Sequence, residues 1–260
     1  MGERSEPLVL VSRDGRGLVT LTLNRPTALN ALSEAMLAAL KTALDGVARD
    51  ETARVVVIGG AGKAFCAGHD LKEMRASPSL DYYRGLFAAC TEVMLTILRL
   101  PVPVIARVHG IATAAGCQLV AQCDLAVAST EALFAVSGVN YGLFCSTPSV
   151  ALSRDILRKQ AMEMLLTGDF IDAQEARARG LVNRVVGAES LDAEVESLVA
   201  KIVAKPRVAI AIGKEQFYRQ IEAGIVNAYA IAGEAMACNM MDQSALDGVQ
   251  AFIDKRKPAT

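Results

Sequence analysis

Short strands alternate with longer helices through the first 190 residues, and this alternation limits the folds open to the chain more than any other feature. Residues 18–23 alternate apolar and threonine side chains, which predicts a half-buried strand. Residues 54–58 predict a buried strand, and Ser33 is placed to cap a helix between the two. Strand, loop and helix repeated in this way favour an α/β domain.

The same patterns predict the other elements of the chain. They are a Gly-rich loop at 59–68, a helix at 82–100, strands at 104–108, 125–128, 134–136 and 182–186, and a helix that starts near Ala114. Asp172 and Glu175 resemble a capping box at the start of a further helix, which Gly180 ends. From Leu191 onward the sequence is almost wholly helical. We therefore expect a core at 1–190 and a helical region at 191–260 that mediates assembly.

Composition excludes several classes of function. The 27 Lys and Arg residues nearly cancel the 28 Asp and Glu residues, so no overall field recruits nucleic acid or an anionic membrane. The segment MGERSEP matches neither a secretory signal nor a transit peptide, and polar residues interrupt the longest uncharged stretch, at 132–153. We therefore expect a cytosolic protein. Six cysteines without a CxxC pair and only two histidines predict reduced thiols and no metal site.

Two further motifs match known patterns only in part. The stretch GGAGKAF fails the phosphate-loop pattern, because Val57 replaces its first glycine and Ala64 its Ser or Thr. The stretch AVSGVNYG is not a nucleophile elbow, because Ala135 replaces the first glycine of G-x-S-x-G. We therefore predict neither nucleotide hydrolysis nor a serine nucleophile.

Small residues collect at two junctions between an extended segment and a helix, at 66–70 and 112–116. Backbone N–H groups at a helix start have no intrahelical partner. Two such donors aimed at one point would form an oxyanion hole for a thioester carbonyl, worth about 3 to 4 kcal/mol per donor in acyl chemistry. Tight packing of a helix on a sheet selects the same small residues. The spacing alone leaves both interpretations open.

Five segments resemble the enoyl-CoA hydratase/isomerase (crotonase) superfamily in order and spacing. They are NRPTALNAL, GGAGKAFCAGHDLKEM, PVPVIARVHGIATAAGCQLVAQCDLAVAS, MLLTGDFIDAQEARARGLVNRVV and FIDKRKP, which span nearly the whole chain. The resemblance implies an α/β crotonase (ClpP-like) fold, a spiral of ββα units with a C-terminal helical region. It also implies a lyase or isomerase of fatty-acid and acyl-CoA metabolism, assembled as a homotrimer or a dimer of trimers. Coenzyme A is then part of the substrate, and no other cofactor is expected.

The resemblance also assigns residues to the site. It places the two oxyanion donors on the backbone N–H groups of His69 and Ala115. It places the positions that contact the CoA thioester on the segment after the NRP turn and on the two junctions, at Ala28, Ala67, His69, Asp70, Leu71, Lys72 and Ala115.

The chain departs from the family pattern at both acid–base positions. The hydratases use two glutamates, and these positions fall on Gln118 and Gly138. Neither an amide nor a glycine transfers protons near neutral pH, and a positioned acid or base contributes roughly 10² to 10⁴-fold to a rate. No carboxylate exists at 132–153, so a shift in register does not restore the second one. We therefore expect very weak hydratase activity.

Several activities stay open within the resemblance. Within the superfamily the chain is most similar to the enoyl-CoA hydratase domain-containing protein 3 group, a similarity that does not settle its chemistry. The AGHD segment around His69 also occurs in methylmalonyl-CoA decarboxylases, which form an enolate by losing CO2; Tyr141 or Asn140 would then hold the carboxylate. An isomerase and a non-catalytic acyl-CoA binder fit the same residues. We do not expect Cys145 to act as a nucleophile, because an apolar, uncharged stretch raises the pKa of a thiol.

Overall fold

The computed structural model describes residues 6–255 of the protein. Its strands are β1 Val9–Arg13, β2 Leu18–Leu23, β3 Val55–Gly60, β4 Ala64–Cys66, β5 Val104–Val108, β6 Ile111–Thr113, β7 Leu125–Ser129, β8 Leu133–Ala135, β9 Ile171–Asp172 and β10 Arg184–Val186. Its helices are α1 Glu34–Ala48, α2 Leu71–Ala76, α3 Leu80–Arg99, α4 Ala115–Gln122, α5 Ser146–Asp155, α6 Arg158–Thr167, α7 Ala173–Arg179, α8 Leu191–Val203, α9 Arg207–Ile221, α10 Ile225–Met240 and α11 Gln243–Ile253.

The strands form two sheets that the chain visits in turn. The larger sheet has the order β1-β2-β3-β5-β7-β10, and the smaller one has the order β4-β6-β8-β9. All pairs are parallel except β1 with β2 and β8 with β9. Three pairs of consecutive strands are divided between the sheets, the first strand of each in the larger sheet and the second in the smaller one: β3–β4, β5–β6 and β7–β8. After each pair the chain continues into helical structure. This path is the spiral of ββα units that the resemblance implies.

Helices cover both faces of the larger sheet. On one face, α1 and α3 bury side chains at helical spacing, including Leu40, Leu44 and Ile97, in a core shared with the smaller sheet. On the other face, α8 packs Val195 and other apolar side chains against β3, β5 and β7. Each fully buried Leu, Ile or Val side chain contributes about 1.5 to 3 kcal/mol. The sheets therefore provide a rigid base for the loops that follow their strands.

The strongly periodic and capped elements agree with the sequence-based predictions. The predicted strands at 18–23 and 104–108 are β2 and β5. The Ser33 hydroxyl accepts from the backbone N–H of Met36 and caps α1. Asp172 accepts from the N–H of Glu175 at 2.8 Å, and Gly180 ends α7 with a φ of 96°. Helices follow one another from Leu191, whereas 256–260 and part of FIDKRKP lie outside the described residues.

Several of the predicted element boundaries were wrong, and some elements were not predicted. The Gly-rich segment 59–68 is not one loop, because β3 continues to Gly60 and β4 occupies three residues within it, too few to show a strand period. The edge strand β1 was missed because its outward side chains are exposed and form no alternating pattern. The helix predicted at 82–100 begins two residues earlier, capped by Ser79. Helices α2, α5 and α6 were also missed, since they are short and carry few buried side chains.

Candidate active site

A cavity of about 290 Å³ lies between the segments that follow β4 and β6, helices α2 and α3, and the segment 137–148. Six of the residues predicted from the sequence line it: Ala67, His69, Leu71, Ala115, Gly138 and Tyr141. The other four, Ala28, Asp70, Lys72 and Gln118, are not part of its wall. The structure therefore brings the two predicted oxyanion residues to one cavity and places part of the predicted CoA-binding set outside it.

The two helix starts lie against each other. Gly68 adopts a φ of 88°, and a side chain on it would begin 3.2 Å from the Ala115 nitrogen and 3.0 Å from the Thr113 carbonyl oxygen. Among the hydrogen bonds of residues 6–255, neither the His69 N–H nor the Ala115 N–H has an acceptor. Ala115 is the first residue of α4, where an N–H has no intrahelical partner. Both residues thus line the cavity with backbone amides that have no acceptor among the described residues.

Close packing explains why these helix starts contain small residues. A side chain on Gly116 would begin 2.0 Å from the Cys66 carbonyl oxygen, so only glycine allows α4 to start this close to β4. The same contact brings Ala115 beside the turn that carries His69. Tight packing, one of the two interpretations that the spacing left open, is therefore present, and the oxyanion hole stays a prediction.

Ala114 has a strained backbone that orients the Ala115 amide. Its φ of 50° and ψ of −120° lie in a region that glycine occupies far more readily than alanine. The Ala114 N–H donates to the Ala135 carbonyl at 2.9 Å, which ties this residue to β8. This hydrogen bond helps to hold Ala114 in a conformation that costs on the order of 1 to 3 kcal/mol.

Ala114→Gly should therefore stabilise the fold. Relief of the strain exceeds the entropy that glycine loses on folding, about 0.5 to 1 kcal/mol, so we expect a net gain of about 1 kcal/mol in the free energy of unfolding. Urea denaturation measures this change. The matched control is Ala121→Gly in the last turn of α4, which should lose up to about 1 kcal/mol. A loss in both variants would show that Ala114 is not strained.

The cavity wall has no charged side chain. Its titratable groups are His69, Tyr141 and Cys145. Burial lowers the pKa of His69 below its usual value, so the imidazole is neutral at neutral pH. Its Nδ1 lies 3.4 Å from the Leu32 carbonyl oxygen, and its ring packs edge-on against Phe87 with centroids 5.5 Å apart. Burial also raises the pKa of Cys145, opposed by the Gly138 amide, so the thiol is neutral too.

The two positions of the missing glutamates differ in their surroundings. Gln118 is 5% exposed on α4, and its Oε1 has no hydrogen-bond partner among the described residues. At Gly138 a side chain would begin 2.3 Å from the Leu143 carbonyl oxygen and 2.8 Å from Cys145 Sγ. The segment that follows Gly138 therefore fills the space that a second carboxylate would need.

The two candidates for holding a carboxylate separate in the structure. Tyr141 lies at the cavity wall with 76% of its surface exposed. Asn140 lies outside the wall and donates through Nδ2 to the Gly168 carbonyl at 3.4 Å. Of these two residues, only Tyr141 can therefore contact a ligand inside the cavity.

The predicted CoA-binding segments are joined by buried polar contacts. Arg25 forms an ion pair with Asp70 at 2.6 Å, and this interaction is the main reason why the pKa of Asp70 lies below its usual value. Asp70 also caps α2, accepting from the N–H of Lys72 at 3.0 Å. Asn30 is fully buried and donates to the carbonyl of Ala64 at 2.8 Å. The turn at 26–28 is therefore fixed to the loop that carries His69.

Sequence reasoning missed several residues of this site. Arg25 and Asn30 lie within the quoted NRPTALNAL segment, which was the signal available for them. The cavity wall further includes Met74, Phe87, Phe144 and Pro148, together with Cys145, which was considered only as a nucleophile. These side chains come from α2, α3 and the start of α5, and no local spacing links them.

Between residues 6 and 255, no three His, Cys, Asp or Glu side chains are arranged to hold a metal ion. No helix in that range combines the length and apolar character needed to cross a bilayer. Five of the six cysteines are buried, only Cys238 is exposed, and all six are unpaired.

Comparisons with known proteins show the family and the fold of this chain. The family model described as enoyl-CoA hydratase/isomerase matches residues 13–259. The mouse protein named "Enoyl-CoA hydratase domain-containing protein 3, mitochondrial" is 46% identical over 99% of this chain and 86% of its own length. The crystal structure titled enoyl-CoA hydratase from Mycobacterium smegmatis is 68% identical, with a TM-score of 0.97 over 98% of this chain and 99% of that one. Human enoyl-CoA hydratase domain-containing protein 3 is 43% identical, with a TM-score of 0.93 over 97% of this chain and all of that one.

Proposed function

Because the chain belongs to the enoyl-CoA hydratase/isomerase family, we propose that it binds acyl-CoA thioesters and polarises the thioester carbonyl between the backbone N–H groups of His69 and Ala115. The observation that carries this proposal is that both amides lack acceptors at one apolar cavity. Such donors stabilise the charge that collects on the carbonyl oxygen when an enolate forms, by about 3 to 4 kcal/mol each. They therefore favour the enolate over the bound ground state.

Ordinary two-glutamate hydration is not part of the proposal. Hydration needs one group to activate water and another to deliver a proton to Cα. Gln118 lies outside the cavity wall, and Gly138 offers no room for a carboxylate. The reaction proposed is thus one that passes through an enolate and does not depend on either position.

Decarboxylation of an α-carboxyacyl-CoA is the second candidate, and the uncharged cavity wall favours it. A carboxylate held there loses its hydration, and loss of CO2 moves its charge to the thioester oxygen beside the two amides. Tyr141 at the mouth of the cavity is the side chain placed to hold that carboxylate. Isomerisation through an enolate and acyl-CoA binding without chemistry stay as the alternatives.

Assembly with copies of the same chain is part of the proposal, as a homotrimer or a dimer of trimers. The support is a set of exposed apolar side chains on α10 and α11, among them Ile225, Val226, Tyr229 and Phe252, which are 71%, 83%, 74% and 82% exposed. Large exposed apolar side chains grouped on two neighbouring helices are typical of interaction sites. Light scattering at micromolar concentration should report an oligomer, and a monomer would contradict the proposed assembly.

The cytosolic location of the protein stays a prediction.

Calorimetric titration tests the main proposal. Butyryl-CoA should bind, and the matched thioether, in which CH2 replaces the carbonyl, should bind about tenfold more weakly because two hydrogen bonds of about 0.5 to 1.5 kcal/mol each are lost. Equal affinity for both compounds, or no binding by either, would contradict it. Incubation with methylmalonyl-CoA then separates the activities: propionyl-CoA as product supports decarboxylation, whereas binding without turnover supports the binder.

A further inference from the structure

The sulfur of Cys145 occupies the space where a second acid–base side chain would begin. Cys145 is 6% exposed and forms part of the cavity wall. Its Sγ lies 2.8 Å from the point at which a side chain on Gly138 would start. The chain thus lacks a side chain at 138 and places a thiol there from a residue seven positions later.

Other features of the cavity distinguish this thiol from its neighbours. The amides of His69 and Ala115 lie at the same wall without acceptors, so a thioester bound to them has its acyl carbons inside this cavity. The His69 ring is held by the Leu32 carbonyl and by Phe87, and its Nε2 is buried without a partner. Tyr141 is largely exposed at the mouth. Cys145 and the Nε2 of His69 are therefore the buried groups of the wall that no neighbouring acceptor holds among the described residues, and of the two only Cys145 lies beside position 138.

We propose that the Cys145 thiol delivers the proton to Cα of the enolate, an inference that rests on the proposed function. In this step the S–H bond breaks, a C–H bond forms at Cα with the electron pair of the enolate, and the thioester carbonyl is restored. The thiolate that remains takes a proton from water at the cavity mouth. In the reverse direction solvent at the cavity mouth first takes the thiol proton and the resulting thiolate removes an α-hydrogen, so the same residue exchanges α-hydrogens with solvent. The role is that of an acid, and Cys145 forms no bond to the acyl carbon.

A thiol suits this task in this surrounding. Burial raises the pKa of Cys145, which keeps the proton on sulfur until a strong base such as an enolate appears. A positioned donor of this kind contributes about 10² to 10⁴-fold. If Cys145 only packed the cavity wall, its replacement would not lower hydrogen exchange at Cα in a variant that still binds the ligand.

Affinity labelling tests the geometry without requiring turnover. Bromoacetyl-CoA carries bromide as a leaving group at Cα. A cysteine sulfur within reach of Cα displaces the bromide and forms a thioether bond to Cα, so the CoA thioester stays attached to that cysteine. Peptide mass spectrometry should find saturable labelling of Cys145 that butyryl-CoA blocks. The exposed Cys238 should label slowly, in proportion to reagent, and without protection. Cys145→Ala should abolish the saturable label, whereas the matched buried control Cys123→Ala should keep it.

Deuterium exchange tests the chemistry. Wild-type protein in D2O should place deuterium at Cα of butyryl-CoA, and Cys145→Ala should lower the exchange rate at least about 10²-fold while its affinity for butyryl-CoA changes less than threefold. Cys145→Ser should exchange slowly, since a hydroxyl is a weaker acid, and Cys123→Ala should match the wild type. Folding of each variant is checked by its thermal transition.

The outcomes separate the two proposals. Failure of the wild type to bind butyryl-CoA would overturn the proposed function and this inference with it. Binding of butyryl-CoA without labelling of Cys145, or exchange that survives in Cys145→Ala, would overturn the inference alone. Exchange lost in Cys145→Ala with binding retained, together with protected labelling of Cys145, is the result we expect.

Discussion

Hydration of crotonyl-CoA by the wild-type protein is expected to be on the order of 10⁴-fold or more slower than by a hydratase with two glutamates. Each positioned acid or base contributes roughly 10² to 10⁴-fold, and both positions here carry residues without a carboxylate, Gln118 and Gly138. The loss of absorbance of the enoyl thioester measures the rate. Crotonyl-CoA should nevertheless bind, since the two amides proposed to hold the thioester carbonyl remain.

Restoring the carboxylates should not restore hydration. Gln118→Glu alone supplies one group at a position outside the cavity wall. In Gly138→Glu the new side chain would begin 2.3 Å from the Leu143 carbonyl oxygen, so the segment after it must move and the variant should lose stability. Rapid hydration by the wild type that persists in Gln118→Ala would show that another residue supplies the acid–base chemistry.

Lys214→Met should destabilise the fold by about 3 to 5 kcal/mol. Lys214 on α9 is 6% exposed through its side chain, and its Nζ lies 2.6 Å from Asp124 Oδ2. The same ammonium donates to the carbonyls of Ile97 and Val102 at 2.9 and 3.0 Å, so it ties α9 to the end of α3 and the start of β5. The variant leaves a buried carboxylate without its counter-charge. Urea denaturation at fixed protein concentration measures the change.

A surface ion pair provides the control. Lys41 and Asp45 lie one turn apart on α1 and are 34% and 37% exposed through their side chains, so Lys41→Met should cost about 0.5 kcal/mol or less. Adding Asp124→Asn to Lys214→Met should recover part of the loss, because no buried charge remains unpaired. Equal small effects of Lys214→Met and Lys41→Met would contradict the role given to the buried pair.

The parts of the fold that sequence reasoning predicted are those in which local periodicity reflects burial. Strands β2 and β5 and the cap at Ser33 were placed correctly, because each pattern lies within a few residues. Strand β4 has only three residues and β1 is an exposed edge, so neither carries a readable period. The larger architecture followed from the resemblance and not from periodicity.

The residues of the candidate site also fall into those with a local sequence signal and those that depend on distant contacts. The run of small residues before a helix at 112–116 was a local signal for this junction, and the resemblance assigned the oxyanion positions to it, an assignment that stays a prediction. The closure of Gly138 was not predicted, because it depends on the chain returning at Leu143 and Cys145. The packing of Phe87 beside His69 joins α3 to a loop eighteen residues earlier, and such contacts become visible only in three dimensions.

The central claim is that two backbone amides polarise the thioester carbonyl. Isotope-edited infrared difference spectroscopy of butyryl-CoA labelled with ¹³C at that carbonyl tests it without requiring catalysis. Hydrogen bonds from the His69 and Ala115 N–H groups in a site shielded from water should weaken the C=O bond more than water does. The account predicts a carbonyl stretch at lower wavenumber in the complex than in free butyryl-CoA in water. A stretch at the same or higher wavenumber would contradict it.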